Sequence, residues 1–186
     1  MRIIFQFLIV SCLISCSAPR PFEKEVLIKD KFFKGQVKLQ HIEKLGKYRL
    51  SISNTLTGKT DLIYTPYEVF QMETGDINHD GKTDICLGII KPTPFDSVLK
   101  KRLFLFQIDR DYIRPLWLSS RLAGPLEAFT VSTDSTGKCI INTLEKQFRD
   151  LYCRRTYRWN SFGMNYINTP QDSITHDEAR LFFKHD

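Results

Sequence analysis

From Gly46 onward the chain alternates apolar and polar residues in short runs separated by turn residues, and a period of two over runs of this length calls for β-strands. Residues 46–53 place Tyr48, Leu50 and Ile52 on one face, Thr57, Gly58 and Lys59 turn the chain, and residues 62–65 return it. Residues 102–108 are apolar on both faces over part of their length, which predicts a central strand. The strand after the turn at Asp109, Arg110 and Asp111 holds Pro115, and proline cannot donate to a ladder, so an edge or a bulge is expected there. Runs at 129–131, 139–144, 151–159 and 164–167 continue the series. The period then changes: Thr175 followed by Glu178 is a capping-box pattern that opens a short amphipathic helix with Ala179, Leu181 and Phe182. The fold class expected is mainly β, a small antiparallel sheet assembly, propeller-blade-like or sandwich, with a short C-terminal helix.

The opening of the chain speaks to compartment. Met1 and Arg2 precede an apolar run from Ile3 to Leu13, about eleven positions, which is too short for a bilayer that needs ~20. The run reads as a secretory signal, and Leu13, Ile14, Ser15 and Cys16 follow it at once. That ending resembles the lipobox of bacterial lipoproteins. The resemblance implies diacylglyceryl lipidation of Cys16, which becomes the acylated mature N-terminus, and two acyl signals are what stable anchoring needs. An ordinary signal peptide cut near Ala18 is the alternative. The expected organisation is a signal over 1–15, a tether over 16–25 with Pro19 and Pro21, and one β-rich domain over 26–186. No acidic cluster follows Cys16, which favours an outer-membrane anchor facing the periplasm.

About 170 residues remain after the signal, enough for one core without many disulfides. The formal net charge of +6 is spread over scattered lysines such as Lys29, Lys38 and Lys47, a poor footprint for nucleic acid. Three cysteines remain besides Cys16: Cys86, Cys139 and Cys153. Cys139 and Cys153 fall on adjacent expected strands, where a disulfide and two buried free thiols are both open.

Chemistry concentrates at residues 75–84, where Asp76, Asn78, Asp80 and Asp84 recur around Gly81. Hard cations such as calcium take six to eight oxygens, and this spacing supplies most of them from one segment. Lys82 would add its backbone carbonyl. Asn78, His79, Asp80 and Gly81 also make a good metal-free turn, but three carboxylates within nine residues repel one another without a cation. Position twelve is Leu87 and the following segment is a strand, so the loop is not an EF-hand. Strand before and strand after, with Gly75, Asp76, Asn78, Asp80, Gly81, Asp84, Ile85, Leu87 and Gly88 in place, is similar to the calcium loops of FG-GAP and VCBS-type repeats, the integrin-type propeller units. The resemblance covers about fifteen residues; His79 stands for the usual glycine and no Phe-Gly pair precedes the loop. It implies one structural Ca²⁺ held by Asp76, Asn78, Asp80, Lys82 and Asp84, with affinity of the order of 10⁻⁴ to 10⁻³ M, and a binding or scaffolding role rather than catalysis.

A fainter copy lays Ser132, Asp134, Thr136 and Ile140 over Asp76, Asn78, Asp80 and Asp84, with Gly137 on Gly81. Trp117, Arg121 and Trp159 mix aromatics with a cation and are candidates for a ligand surface, although the same residues suit a β core. No nucleophile elbow surrounds Ser119, Ser120 or Ser161, and the four histidines lack ligand spacing, so no catalytic residues are assigned. The reading is a calcium-braced envelope lipoprotein acting as a binding or accessory module, with the membrane as partner through its anchor and a protein or glycan as the candidate ligand. An envelope hydrolase acting on glycan or peptide is the alternative, and a structural subunit of a larger assembly the third.

Overall fold

The computed structural model describes residues 20–94, 96–118 and 122–181. Twelve strands form three four-stranded antiparallel meanders. The first holds β1 (Lys24–Lys29), β2 (Lys34–Ile42), β3 (Lys47–Asn54) and β4 (Thr60–Thr65). The middle sheet holds β5 (Glu68–Gly75), β6 (Asp84–Thr93), β7 (Asp96–Asp109) and β8 (Tyr112–Leu118). The third holds β9 (Leu126–Thr133), β10 (Cys139–Lys146), β11 (Tyr152–Asn160) and β12 (Gly163–Ile174), followed by α1 (His176–Leu181). The described residues are therefore mainly β with one short C-terminal helix, and among them the sheets close into no barrel.

The three meanders stack as layers. Val37, Leu39, Leu50 and Ile52 of the first sheet pack against Met72, Ile85, Leu87, Phe104 and Phe106 of the middle sheet to form one core. Cys86, Leu103, Leu105 and Trp117 on its other face meet Phe129 and Ile141 of the third sheet in a second core. Successive residues of β6 and β7 thus serve opposite cores, and the double-sided apolarity of 102–108 follows from the middle position. β8 is an edge strand, and its ladder with β7 skips Leu116 beside Pro115. A third, smaller cluster joins Leu144 and Ile174 to Ala179, so α1 caps part of the third sheet's outer face. The expected capping box is formed: Thr175 Oγ1 donates to Glu178 Oε2 at 2.8 Å and the Glu178 amide donates back at 3.4 Å.

β5 and β9 lie side by side. The Gln71 side chain exchanges two hydrogen bonds with the Phe129 main chain, its Oε1 accepting the Phe129 amide at 3.2 Å. Each meander enters in the same sense, so the first and third hairpins of every sheet gather at one end of the stack. The second hairpins, the inter-sheet linkers, residues 20–23 and α1 gather at the other. At the first end Asn54 Nδ2 donates to Asp111 Oδ1 at 2.5 Å and the Ile113 amide donates to Asp61 Oδ2 at 2.8 Å, tying the first sheet to the middle one.

Several boundaries differ from expectation: β7 begins at Asp96 rather than at 102, and β9 at Leu126 rather than at 129. β1 begins at Lys24, inside the segment read as tether, and Phe22 already packs on the first core. β12 runs to Ile174, well beyond 164–167, because it stays paired to β11 through three register shifts. Residues 1–15, Cys16 and Phe182 lie outside the described residues.

Candidate metal centre

Residues 76–83 connect β5 to β6, closed by the pair Gly75 and Asp84. Short polar side chains fold this loop onto itself by accepting its own amides. Asp76 Oδ1 accepts from the Asp80 amide and Asp76 Oδ2 from the Gly81 amide, both at 3.0 Å. Asn78 Oδ1 accepts the Asp80 amide at 3.1 Å, and Asp80 Oδ1 accepts the Lys82 amide at 2.9 Å. Gly81 sits at φ 83°, the left-handed region where a β-carbon is penalised. The Lys82 ammonium is engaged elsewhere, 3.7 Å from Asp109 Oδ1 and 5.6 Å from the centre of the Phe32 ring.

Asp84 is different in kind. It is fully buried at the foot of the loop, where Oδ2 accepts the Ile77 amide at 3.0 Å and the Asn78 amide at 3.3 Å. Its Oδ1 is buried and has no hydrogen-bond partner. Burial pushes this carboxyl up to about 7; the two amides oppose the rise, and the charges of Asp80 and Asp76 add to it. A carboxylate oxygen withdrawn from water without a donor is costly, and a cation is one way to satisfy it.

Among the described residues, no group of three or more His, Cys, Asp or Glu side chains converges as a metal cluster. Asp76, Asp80 and Asp84 alone therefore form no such cluster, and the donor set that the loop offers also includes Asn78 and the Lys82 carbonyl. Each carboxylate oxygen carries two lone pairs, so the amide bonds leave acceptor capacity. All-oxygen donors plus the orphaned Asp84 Oδ1 fit a hard cation of the calcium type. Asp76, Asn78, Asp80, Lys82 and Asp84 are thus brought into one loop.

The loop touches all three sheets. Asp30, in the turn after β1, accepts the Phe32 and Phe33 amides at 2.8 and 2.7 Å through Oδ1, and the Thr83 amide at 2.9 Å through Oδ2. Burial would raise this carboxyl, but those amides and the Thr83 hydroxyl outweigh it and hold it below the usual range. On the other side, a β-carbon on Gly75 would stand 2.6 Å from Val131 Cγ1 and 3.0 Å from Cys139 Sγ, so this position must be glycine for the third sheet to approach. Ile77 is buried in the second core. Asp30 has no sequence proximity to the loop, and nothing in the sequence pointed to it.

The corresponding turn of the third sheet, residues 134–138, carries Asp134. Its Oδ1 accepts the Thr136 amide at 2.8 Å, the Thr136 hydroxyl at 2.7 Å and the Lys138 amide at 3.0 Å, and its Oδ2 pairs with Arg158. The Thr136 hydroxyl first, then those amides and the Arg158 charge, hold its carboxyl down at about 2.

The three residues of the candidate ligand surface are placed differently. Trp117 is buried in the second core, and Trp159 is partly buried against the same core, because β8 and β11 turn these faces toward each other. Arg121 lies outside the described residues. Cys86, Cys139 and Cys153 are free thiols. Cys153 pairs with Glu145 while Cys139 lies six residues away along β10, roughly 20 Å at strand rise, too far for a disulfide.

A second polar centre escaped the sequence reading. Glu145 is fully buried and accepts from the Gly124 amide at 2.5 Å, the Thr143 hydroxyl at 2.7 Å and the Tyr157 hydroxyl at 2.7 Å, while pairing with Arg155. Tyr157 in turn accepts the Ala123 amide at 3.0 Å. Burial, then the bond to Glu145, pushes the Tyr157 hydroxyl well above its ordinary value. This network pins the linker between the middle and third sheets, a structural task. Its signal was a glutamate on the apolar face of a strand. Compared with family models, curated proteins and solved structures, the chain matches none.

Proposed function

We propose that the chain is a lipid-anchored protein of the bacterial cell envelope whose three-sheet domain is braced by one calcium ion and serves as a binding or accessory module. The observation that carries the metal is the buried, unpartnered Asp84 Oδ1 beneath a loop that holds two more carboxylates, Asp76 and Asp80. Bound calcium would neutralise that charge cluster; Asp76, Asn78 and Asp80 would supply side-chain oxygens, Lys82 its carbonyl and Asp84 the closing carboxylate. Because the loop is held by Asp30 from one sheet and seated on Val131 and Cys139 of another, fixing it steadies both inter-sheet contacts. The chemistry is that of a brace, and the anchor rests on the Ser15 and Cys16 placement in the sequence.

Calorimetric titration of the mature chain tests the metal. One saturable ion per chain is expected, with a dissociation constant of the order of 10⁻⁴ to 10⁻³ M, and Asp76→Ala with Asp80→Ala should remove the binding heat. Absence of saturable binding in millimolar calcium would sink the reading.

A further inference from the structure

We infer that the end of the sheet stack opposite the metal loop rests on the lipid surface that holds the Cys16 anchor, so that the metal loop faces away from the bilayer. The inference depends on the lipid-anchor reading and adds an orientation and a contact surface to it. Its first support is the reach of the chain. Phe22 is packed on the first core, and the His41 amide donates to Glu23 Oε1 at 2.9 Å, so the chain is fixed to the domain from this point. Cys16 to Phe22 is six residues, at most about 20 Å when fully extended. An acylated Cys16 therefore keeps this end of the domain close to the headgroups. β5 has eight residues, roughly 26 Å of strand, and places the loop at 76–83 that much farther out.

The second support is what this end presents. The turn after β2 carries Leu45, the protruding β6–β7 hairpin carries Val98 and Leu99, the β10–β11 turn carries Phe148, and α1 carries Leu181; each is more than half exposed, Phe148 at 81%. Their tips pair apolar groups with cations. Lys44 precedes Leu45, Lys100 follows Leu99, and the Arg149 guanidinium stands 5.4 Å from the centre of the Phe148 ring. Arg149 and Asp150 both hold positive φ, at 60° and 58°, in the turn that carries Phe148. An apolar side chain entering the acyl boundary beside a cation at headgroup level is the pattern of an interfacial contact.

The test uses the full lipidated chain reconstituted into vesicles of phosphatidylethanolamine and phosphatidylglycerol. Cys86 and Cys153 are buried, so a Cys139→Ser background directs a fluorophore to a single introduced cysteine. One variant carries Phe148→Cys. The other carries Phe162→Cys, at the opposite end and 94% exposed. Doxyl-labelled lipid should quench the label at 148 severalfold more than the label at 162. Equal quenching, or the reverse order, in a chain that floats with the vesicles overturns the orientation alone. A chain that does not float removes the anchor and the orientation together.

Discussion

The first hairpin of the middle sheet and the first hairpin of the third sheet turn through loops of different length, 76–83 and 134–138, with different means of neutralising charge. Both place a glycine in the left-handed region, Gly81 at φ 83° and Gly137 at φ 81°. In the turn at 134–138 a single carboxylate, Asp134, is closed by Thr136, by two amides and by Arg158 from the neighbouring strand. The loop at 76–83 holds two carboxylates, Asp76 and Asp80, above a third, Asp84; the nearby Lys82 is committed to Asp109, and one oxygen of Asp84 is buried without a partner. One turn carries its counter-ion in the sequence. On the proposed reading the other borrows one.

The largest effect is expected from Asp84→Ala, which strips the acceptor from the Ile77 and Asn78 amides and removes the group that the third sheet's turn lacks. The Asn78 amide left without its partner, with the Ile77 amide keeping only its bond to the Gly75 carbonyl, should cost about 1–3 kcal/mol in urea unfolding under chelator, and the response to calcium should vanish as well. A loss confined to calcium-containing buffer would mean that Asp84 acts only as a ligand and not as the fold's own cap.

Gly75→Ala comes next. Its β-carbon would meet Val131 Cγ1 at 2.6 Å and Cys139 Sγ at 3.0 Å, an overpacking of the seam between the loop and the third sheet. About 1–3 kcal/mol of stability should be lost, with calcium present or absent. An unchanged urea midpoint would show that the loop is not seated on the third sheet.

The smallest effect concerns the self-sufficient turn and is read by pH. Asp134 titrates at about 2 in the folded chain against an ordinary 3.8, so its contribution is complete above the unfolded value and is lost as pH falls from about 4 toward 2. Thermal midpoints followed over that window should fall more steeply in the parent chain than in Asp134→Asn. Calcium should leave that difference unaltered. A calcium-sensitive difference would break the contrast between the two turns.

Much of this was legible in the sequence because exposure alternates along a strand. Tyr48, Leu50 and Ile52 are buried on one face as their spacing required, and 102–108 is apolar on both sides because β7 lies in the middle layer. The loop residues announced themselves through spacing alone. β1 was hidden because Lys24, Glu25 and Lys29 flank its apolar residues and the prolines before it read as tether. Trp117 and Trp159 were ambiguous for a physical reason: an aromatic beside a cation has the same composition in a binding groove and in a core rim, and only the stacking of the sheets decides. Asp30 and the partners of Glu145 were beyond reach, since they depend on Thr83 and Gly124, supplied by other strands and linkers. Pairings of that range have no local period to read.

The central claim is that a calcium ion braces the loop at 76–84 and, through it, the packing of the sheets. Its most direct test is the thermal midpoint of the mature chain with chelator and with about 10 mM calcium. For a site near 10⁻⁴ M the midpoint should rise by roughly 5–10 °C, and Asp76→Ala with Asp80→Ala should abolish the rise. A midpoint that does not move with calcium, or that rises equally in the double variant, would contradict the brace.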